Sequence, residues 1–172
     1  MKKNFLVTFV FMMSVMYSSF SAGLEKKTLS NSSKDPAITS LVINADVNIV
    51  LVTDGDQLVH MIGDAAFMEQ VSCKQTGSNL VVNSSKNKNW KSKGVIYIPA
   101  NSLKSIRINN AAYVRSAAPL IMPKLDIEVN GSCKVSVLTW GKVNLVKTDE
   151  YEIEYNVRKI PLPESFAWER KK

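Results

Sequence analysis

From Ile38 to Val146 the chain is a succession of short runs in which apolar and polar residues alternate, and each run stops at an asparagine or a glycine. "LVIN" ends at Asn44, "VHMIG" at Gly63, "LVVN" at Asn83, "IRIN" at Asn109 and "IEVN" at Asn130, at intervals of 19, 20, 26 and 21 residues. Alternation at period two is the pattern of half-buried strands, and no segment of this region sustains a helical period. The recurrence of about 20 residues therefore predicts a repeat built of strands. "VNIVLV" (Val47 to Val52) and "GVIYIP" (Gly94 to Pro99) add further β-branched runs between the bends.

Two stretches carry the repeat without a gap: "SIRINNAAYVRSA" from Ser105 and "DIEVNGSCKVSVL" from Asp126. Ile106 and Ile108 fall on Ile127 and Val129, Arg107 falls on Glu128, and Ala112 falls on Cys133. The alignment predicts an apolar interior row, an outer ion pair, and a small-residue packing site at Cys133. "NGS", with Asn130 and Gly131, reads as a tight turn between half-buried strands, its residues in the left-handed region such turns require. A strand repeat of this length predicts a stacked all-β coil, a β-solenoid of about five to six rungs, with asparagines forming ladders at its corners. An antiparallel β-sandwich is the alternative, since its strands also recur at short intervals.

The stretches "LVINADVNIVLVTDGDQLVHMIGD", "VIYIPANSLKSIRINNAAYVRSAA" and "LDIEVNGSCKVSVLT" resemble the putative auto-transporter adhesin, head GIN domain family. The resemblance covers residues 38–146 and implies a right-handed β-solenoid-like fold in an exported protein, periplasmic, secreted or at the cell surface. The family's pattern of bends is lost after Val146, so residues 147–172 are expected to supply a C-terminal strand and a cap or tail.

Composition sharpens the picture at the ends. "MKKNFLVTFVFMMSVMYSSFSA" has two lysines, an apolar run and small residues before Ala22, the three parts of a signal peptide over residues 1–22. The run is shorter than the ~20 residues of a membrane span, so no transmembrane segment is expected in the mature chain. Residues 23–37 are polar and aperiodic and read as a flexible leader. Removing Lys2 and Lys3 lowers the formal charge from +7 to +5, and much of the excess sits in "KNKNWKSK" and the terminal "ERKK". Lys86, Lys88, Lys91 and Lys93 around Trp90 form the one candidate ligand-binding loop. Export makes nucleic acid an unsuitable partner and leaves a surface glycan or an envelope protein, or a second copy of the chain.

Catalytic chemistry has little to draw on. His60 is the only histidine and reads as structural, so neither a histidine metal site nor a Ser-His-Asp triad is expected. "DGD" (Asp54 to Asp56) lacks the further ligands of a calcium loop and reads as a turn. Glu150, Glu152 and Glu154 alternate with Tyr151, Ile153 and Tyr155 as one face of a solvated edge strand. No metal, cofactor or catalytic residue is expected, and the sequence points to a non-catalytic binding or structural module. The alternative is a β-helix enzyme cleaving acidic polysaccharide with Lys or Arg as base. Cys73 and Cys133 are the only cysteines. In a regular coil they stand about three rungs apart, beyond the ~7 Å reach of a disulfide, so both are expected as free thiols.

Overall fold

A computed structural model describes residues 24–29, 36–53, 57–85, 93–147 and 153–159, the last segment by its backbone alone. The strands are β1 (Glu25–Leu29), β2 (Ser40–Asn44), β3 (Val47–Val52), β4 (Val59–Gly63), β5 (Val71–Thr76), β6 (Asn79–Ser84) and β7 (Gly94–Pro99). They continue with β8 (Ser105–Ile108), β9 (Ala112–Ser116), β10 (Lys124–Val129), β11 (Cys133–Thr139), β12 (Lys142–Lys147) and β13 (Ile153–Lys159). One short helix, α1 (Ala65–Gln70), separates β4 from β5.

These strands form two sheets packed face to face. A seven-stranded sheet runs β1-β4-β7-β3-β9-β11-β13, and a six-stranded sheet runs β12-β10-β8-β2-β6-β5. Successive chain segments alternate between them: β2, β6, β8, β10 and β12 lie in the six-stranded sheet, and β3, β7, β9, β11 and β13 follow in the other. All of these neighbours pair in parallel, whereas β1, β4 and β5 join antiparallel.

This order overturns the expected solenoid. In a coil whose turns follow one another, β6 and β7 would lie between β2–β3 and β8–β9. Instead β2 pairs with both β6 and β8, and β3 with both β7 and β9. The chain is an all-β sandwich of two mixed sheets, not the antiparallel sandwich considered as the alternative. The reversal is made by β4, α1 and β5, which carry the chain to the far side of β2–β3 before β6 begins. A 20-residue interval records the length of a strand pair and is blind to direction, so the excursion kept the spacing while breaking the coil.

Alternation sets the core. Leu41, Ile43, Leu80, Val82, Ile106, Ile108, Ile127 and Val129 point inward from one sheet and meet Ile49, Leu51, Ile96, Ile98, Val114, Val135 and Val137 from the other. Each fully buried aliphatic side chain of this kind contributes roughly 1.5–3 kcal/mol before the entropic cost of ordering the chain is set against it. The register read from sequence holds here: Ile127 pairs with Ile106, Val129 with Ile108, Glu128 with Arg107, and Cys133 with Ala112.

Other expectations need correction. "NGS" does not close a hairpin, because β10 and β11 lie in different sheets and the segment is a corner between them. Neither Asn130 nor Gly131 has a left-handed backbone; among the described residues only Gly77 does, with φ 58°. Gly131 is small for another reason: a side-chain carbon there would stand 2.9 Å from the backbone nitrogen of Asn110 in the neighbouring corner. The polar leader contributes β1, an edge strand paired with β4. The C-terminal strand expected within residues 147–172 is present as β13, a parallel edge strand beside β11.

Helix α1 acts as a clip. Asp64 caps it, its Oδ1 accepting from the Phe67 backbone N–H at 2.8 Å and its Oδ2 from that of Lys93 at 2.9 Å. These two backbone donors hold the Asp64 carboxyl below its ordinary range. The cap turns Phe67, 1% exposed, onto the paired glycines Gly63 and Gly94.

Candidate binding surface

Because side chains alternate along each strand, the residues that do not enter the core line up in rows across the outer face of the six-stranded sheet. One row is Asn83, Asn44, Asn109 and Asn130, contributed by β6, β2 and the ends of β8 and β10. Asn44 Nδ2 donates to Asn83 Oδ1 at 2.9 Å, Asn109 Nδ2 to Asn44 Oδ1 at 2.8 Å, and Asn130 Nδ2 to Asn109 Oδ1 at 3.1 Å. All three bonds point the same way, so the amides polarise one another along the row. The Asn130 amide also donates to Glu128 Oε1 at 3.2 Å.

The next row, two residues earlier in each strand, is Val81, Val42, Arg107, Glu128 and Val146. Arg107 Nε and Nη2 both reach Glu128 Oε2 at 2.9 Å. The Asn130 amide and then this guanidinium hold the Glu128 carboxyl below its ordinary range. A third row, two residues earlier again, is Asn79, Ser40, Ser105, Asp126 and Asn144. Asp126 accepts from Lys124 Nζ and from Asn144 Nδ2, and these bonds lower its pKa in that order.

Between the second and third rows the surface dips into an open groove of about 460 Å³, lined by Val42, Ser105, Arg107, Glu128, Asn144 and Val146 among others. At its β6 end Asn79 Oδ1 is covered yet accepts no hydrogen bond from the protein. The groove thus offers hydroxyls and amides beside Val42 and Val146, with Arg107 already engaged by Glu128 and Asp126 by Lys124 and Asn144. Both carboxylates are shifted toward the charged form, which suits them to accepting hydrogen bonds and not to taking a proton near neutrality. Such a surface can hold a polar chain by many weak bonds.

The residues singled out from sequence divide three ways. Asn44, Asn83, Asn109 and Asn130 are brought together in the ladder. Gly63 is not: it ends β4 in the other sheet, under Phe67. Lys93 is exposed at the start of β7, while Lys86, Lys88, Trp90 and Lys91 lie outside the described residues, as do "DGD", residues 1–23 and Glu150 and Glu152. His60 sits on the outer face of the seven-stranded sheet, its Nδ1 3.0 Å from Thr28 Oγ1. Cys73 and Cys133 are both free. Among the described residues no three His, Cys, Asp or Glu side chains are grouped to hold a metal, and no helix is long and apolar enough to cross a membrane.

Ser40, Asn79, Ser105 and Asp126 were missed, although each stands four residues before its ladder asparagine. That phase relation was visible once the asparagines were taken as equivalent.

Several solved structures are similar in outline. One, a putative adhesin from Parabacteroides distasonis, is 12% identical, with a TM-score of 0.46 over 83% of this chain and 75% of that one. Another putative adhesin, from Bacteroides fragilis, is 10% identical with a TM-score of 0.41, covering 82% of this chain and 96% of its own. A third, from Parabacteroides merdae, is 10% identical with a TM-score of 0.44, covering 81% and 97%. No curated protein matches. A family model matches residues 38–156, past the Val146 limit read from sequence, and by that match the chain belongs to the family described as putative auto-transporter adhesin, head GIN domain.

Proposed function

We propose that this chain is a non-catalytic binding module of the cell envelope, exported by its N-terminal signal and presenting the outer face of the six-stranded sheet to a surface glycan or an envelope protein. The observation that carries this reading is the groove between the second and third rows. It combines the small polar side chains of Ser40, Asn79, Ser105 and Asn144 with charges that are already paired, so a neutral polar ligand meets hydrogen-bonding groups without having to break a free ion's hydration. The adhesin description of the family agrees with such a role.

The test is retention of envelope fractions on immobilised mature protein, compared with a Ser105→Trp variant that fills the groove. The reading expects the wild type to retain a fraction that Ser105→Trp releases. Equal retention by both proteins would remove the groove from the binding surface. Shortening of a retained glycan by the wild type would contradict the non-catalytic assignment.

A further inference from the structure

The outer face of the seven-stranded sheet differs in chemistry from the laddered face. The register of β1, β4, β7, β3, β9 and β11 places Lys26, Tyr97, Tyr113, Arg115 and Lys134 on it, with His60 between Lys26 and the tyrosines. In these six strands no Asp or Glu faces outward on this side, whereas every acid on the opposite face is matched to a cation. Arg115 is exposed and makes no ion pair among the described residues. Lys134, also exposed, is already engaged: its Nζ lies 5.9 Å from the Tyr113 ring centroid, and Glu154 of β13 is in register beside it. The uncompensated charge is therefore centred on Arg115, with Lys26 at the far end, four strand spacings or roughly 19 Å away.

We infer that this face binds an acidic polysaccharide. The positive charges are spread along a line that crosses the strands, a spacing that suits repeated carboxylates on one extended chain better than a single small anion. Tyr97 and Tyr113 lie two strands apart, roughly 10 Å, with Tyr97 between Lys26 and Arg115 and Tyr113 on the same strand as Arg115. Both are half-buried, so their rings are held rigid and lose little entropy when a sugar ring packs on them, while each hydroxyl remains to bond a sugar hydroxyl. Arg115 supplies the planar fork that engages a carboxylate through two parallel hydrogen bonds. A lipid surface is less well matched. It calls for protruding apolar side chains, and of the most exposed ones Ile121 and Val146 lie elsewhere and Leu24 lies at the margin before β1.

This inference rests on the reading of the chain as a binding module but uses a different face, so the two fail separately. Calorimetric titration of the full mature chain with polygalacturonate, and with its methyl-esterified neutral form, provides the test. Binding is expected for the acidic polymer, weakening as salt is raised and at least tenfold weaker to the ester. Arg115→Glu should weaken it at least tenfold, with Arg115→Gln and Tyr113→Ala each showing a smaller loss, and Ser105→Trp should leave it unchanged. Thermal melts confirm that each variant is folded; Arg115 is exposed, so Arg115→Gln keeps the test open if the glutamate variant is impaired. No binding to polygalacturonate, equal binding of the ester, equal binding by Arg115→Glu, or tighter binding to vesicles of anionic lipid would each overturn the inference.

Discussion

Gly94 faces the ring of Phe67 so closely that a methyl group there would stand within the van der Waals envelope of the ring, and its three nearest atoms all belong to Phe67. At an open strand position, Gly→Ala tends to stabilise by about 0.4–1 kcal/mol because the unfolded chain loses freedom. Here the sign should reverse. The ring is 1% exposed, and Asp64 fixes the helix that carries it, so it has no room to step aside. Overpacking of a fixed core costs about 1–3 kcal/mol, and the upper end is expected for Gly94→Ala. Phe67→Ala should cost about 3–5 kcal/mol through lost burial and the cavity it leaves. In the double variant the new methyl occupies part of that cavity, so the cost should be no more than that of Phe67→Ala alone. Urea unfolding of the four proteins measures the cycle, with a coupling of about 2–3 kcal/mol expected. Costs that simply add would show that the ring does not rest on Gly94, and the clip between β4, α1 and β7 would have to be redrawn.

Three further outcomes are expected. Val129→Asp places an unpaired charge in a core position that is 0% exposed and should cost several kcal/mol, whereas Asn109→Ala, at an exposed ladder position, should cost about 1 kcal/mol; equal shifts of the urea midpoint would contradict the assigned faces. Burial pushes the Cys73 thiol up to about 12, with nearby Lys27 opposing it, and burial also raises Cys133, so a thiolate-selective alkylating reagent should label neither readily in the native protein at pH 8 and both once it is unfolded without reductant; a need for reductant would reveal a disulfide. The Asn130 amide and Arg107 lower the Glu128 carboxyl, so its contribution is present above the ordinary carboxylate range and lost as pH falls through the folded value; Glu128→Gln should flatten the acid limb of stability below the ordinary carboxylate range, and an unchanged limb would count against the pairing.

What was legible in the sequence was local phase. Alternation identified the inward rows, and the gapless match of Ser105–Ala117 with Asp126–Leu138 placed Arg107 beside Glu128 and Ala112 beside Cys133. The asparagines could be aligned because each ends a strand at the same phase. Strand order was not legible, because neighbours in a parallel sheet are chosen by long-range packing and not by adjacency in the chain. Gly63 shows why: it falls on the 20-residue beat, yet it belongs to an antiparallel strand and is a glycine because Phe67 covers it. Helix α1 is only six residues long, too short to show a helical period, and "DAAFMEQ" revealed itself only through the Asp64 cap. The outer faces were missed because their chemistry is assembled across strands: Tyr97, Arg115 and Lys26 are far apart in sequence and meet only through sheet register.

Both outer faces depend on which strands are neighbours, and paired cysteines test that order most directly. With Cys73→Ser and Cys133→Ala removing the native thiols, Val42→Cys/Val81→Cys places two cysteines on adjacent parallel strands, roughly 4.8 Å apart at Cα. Val81→Cys/Arg107→Cys places them two strands apart, roughly 10 Å, with β2 between. Mild oxidation of the folded monomer should close the first pair into a disulfide and leave the second as free thiols. Closure of the second pair as well as the first would put β6 between β2 and β8, restore the sequential coil, and dissolve both proposed surfaces.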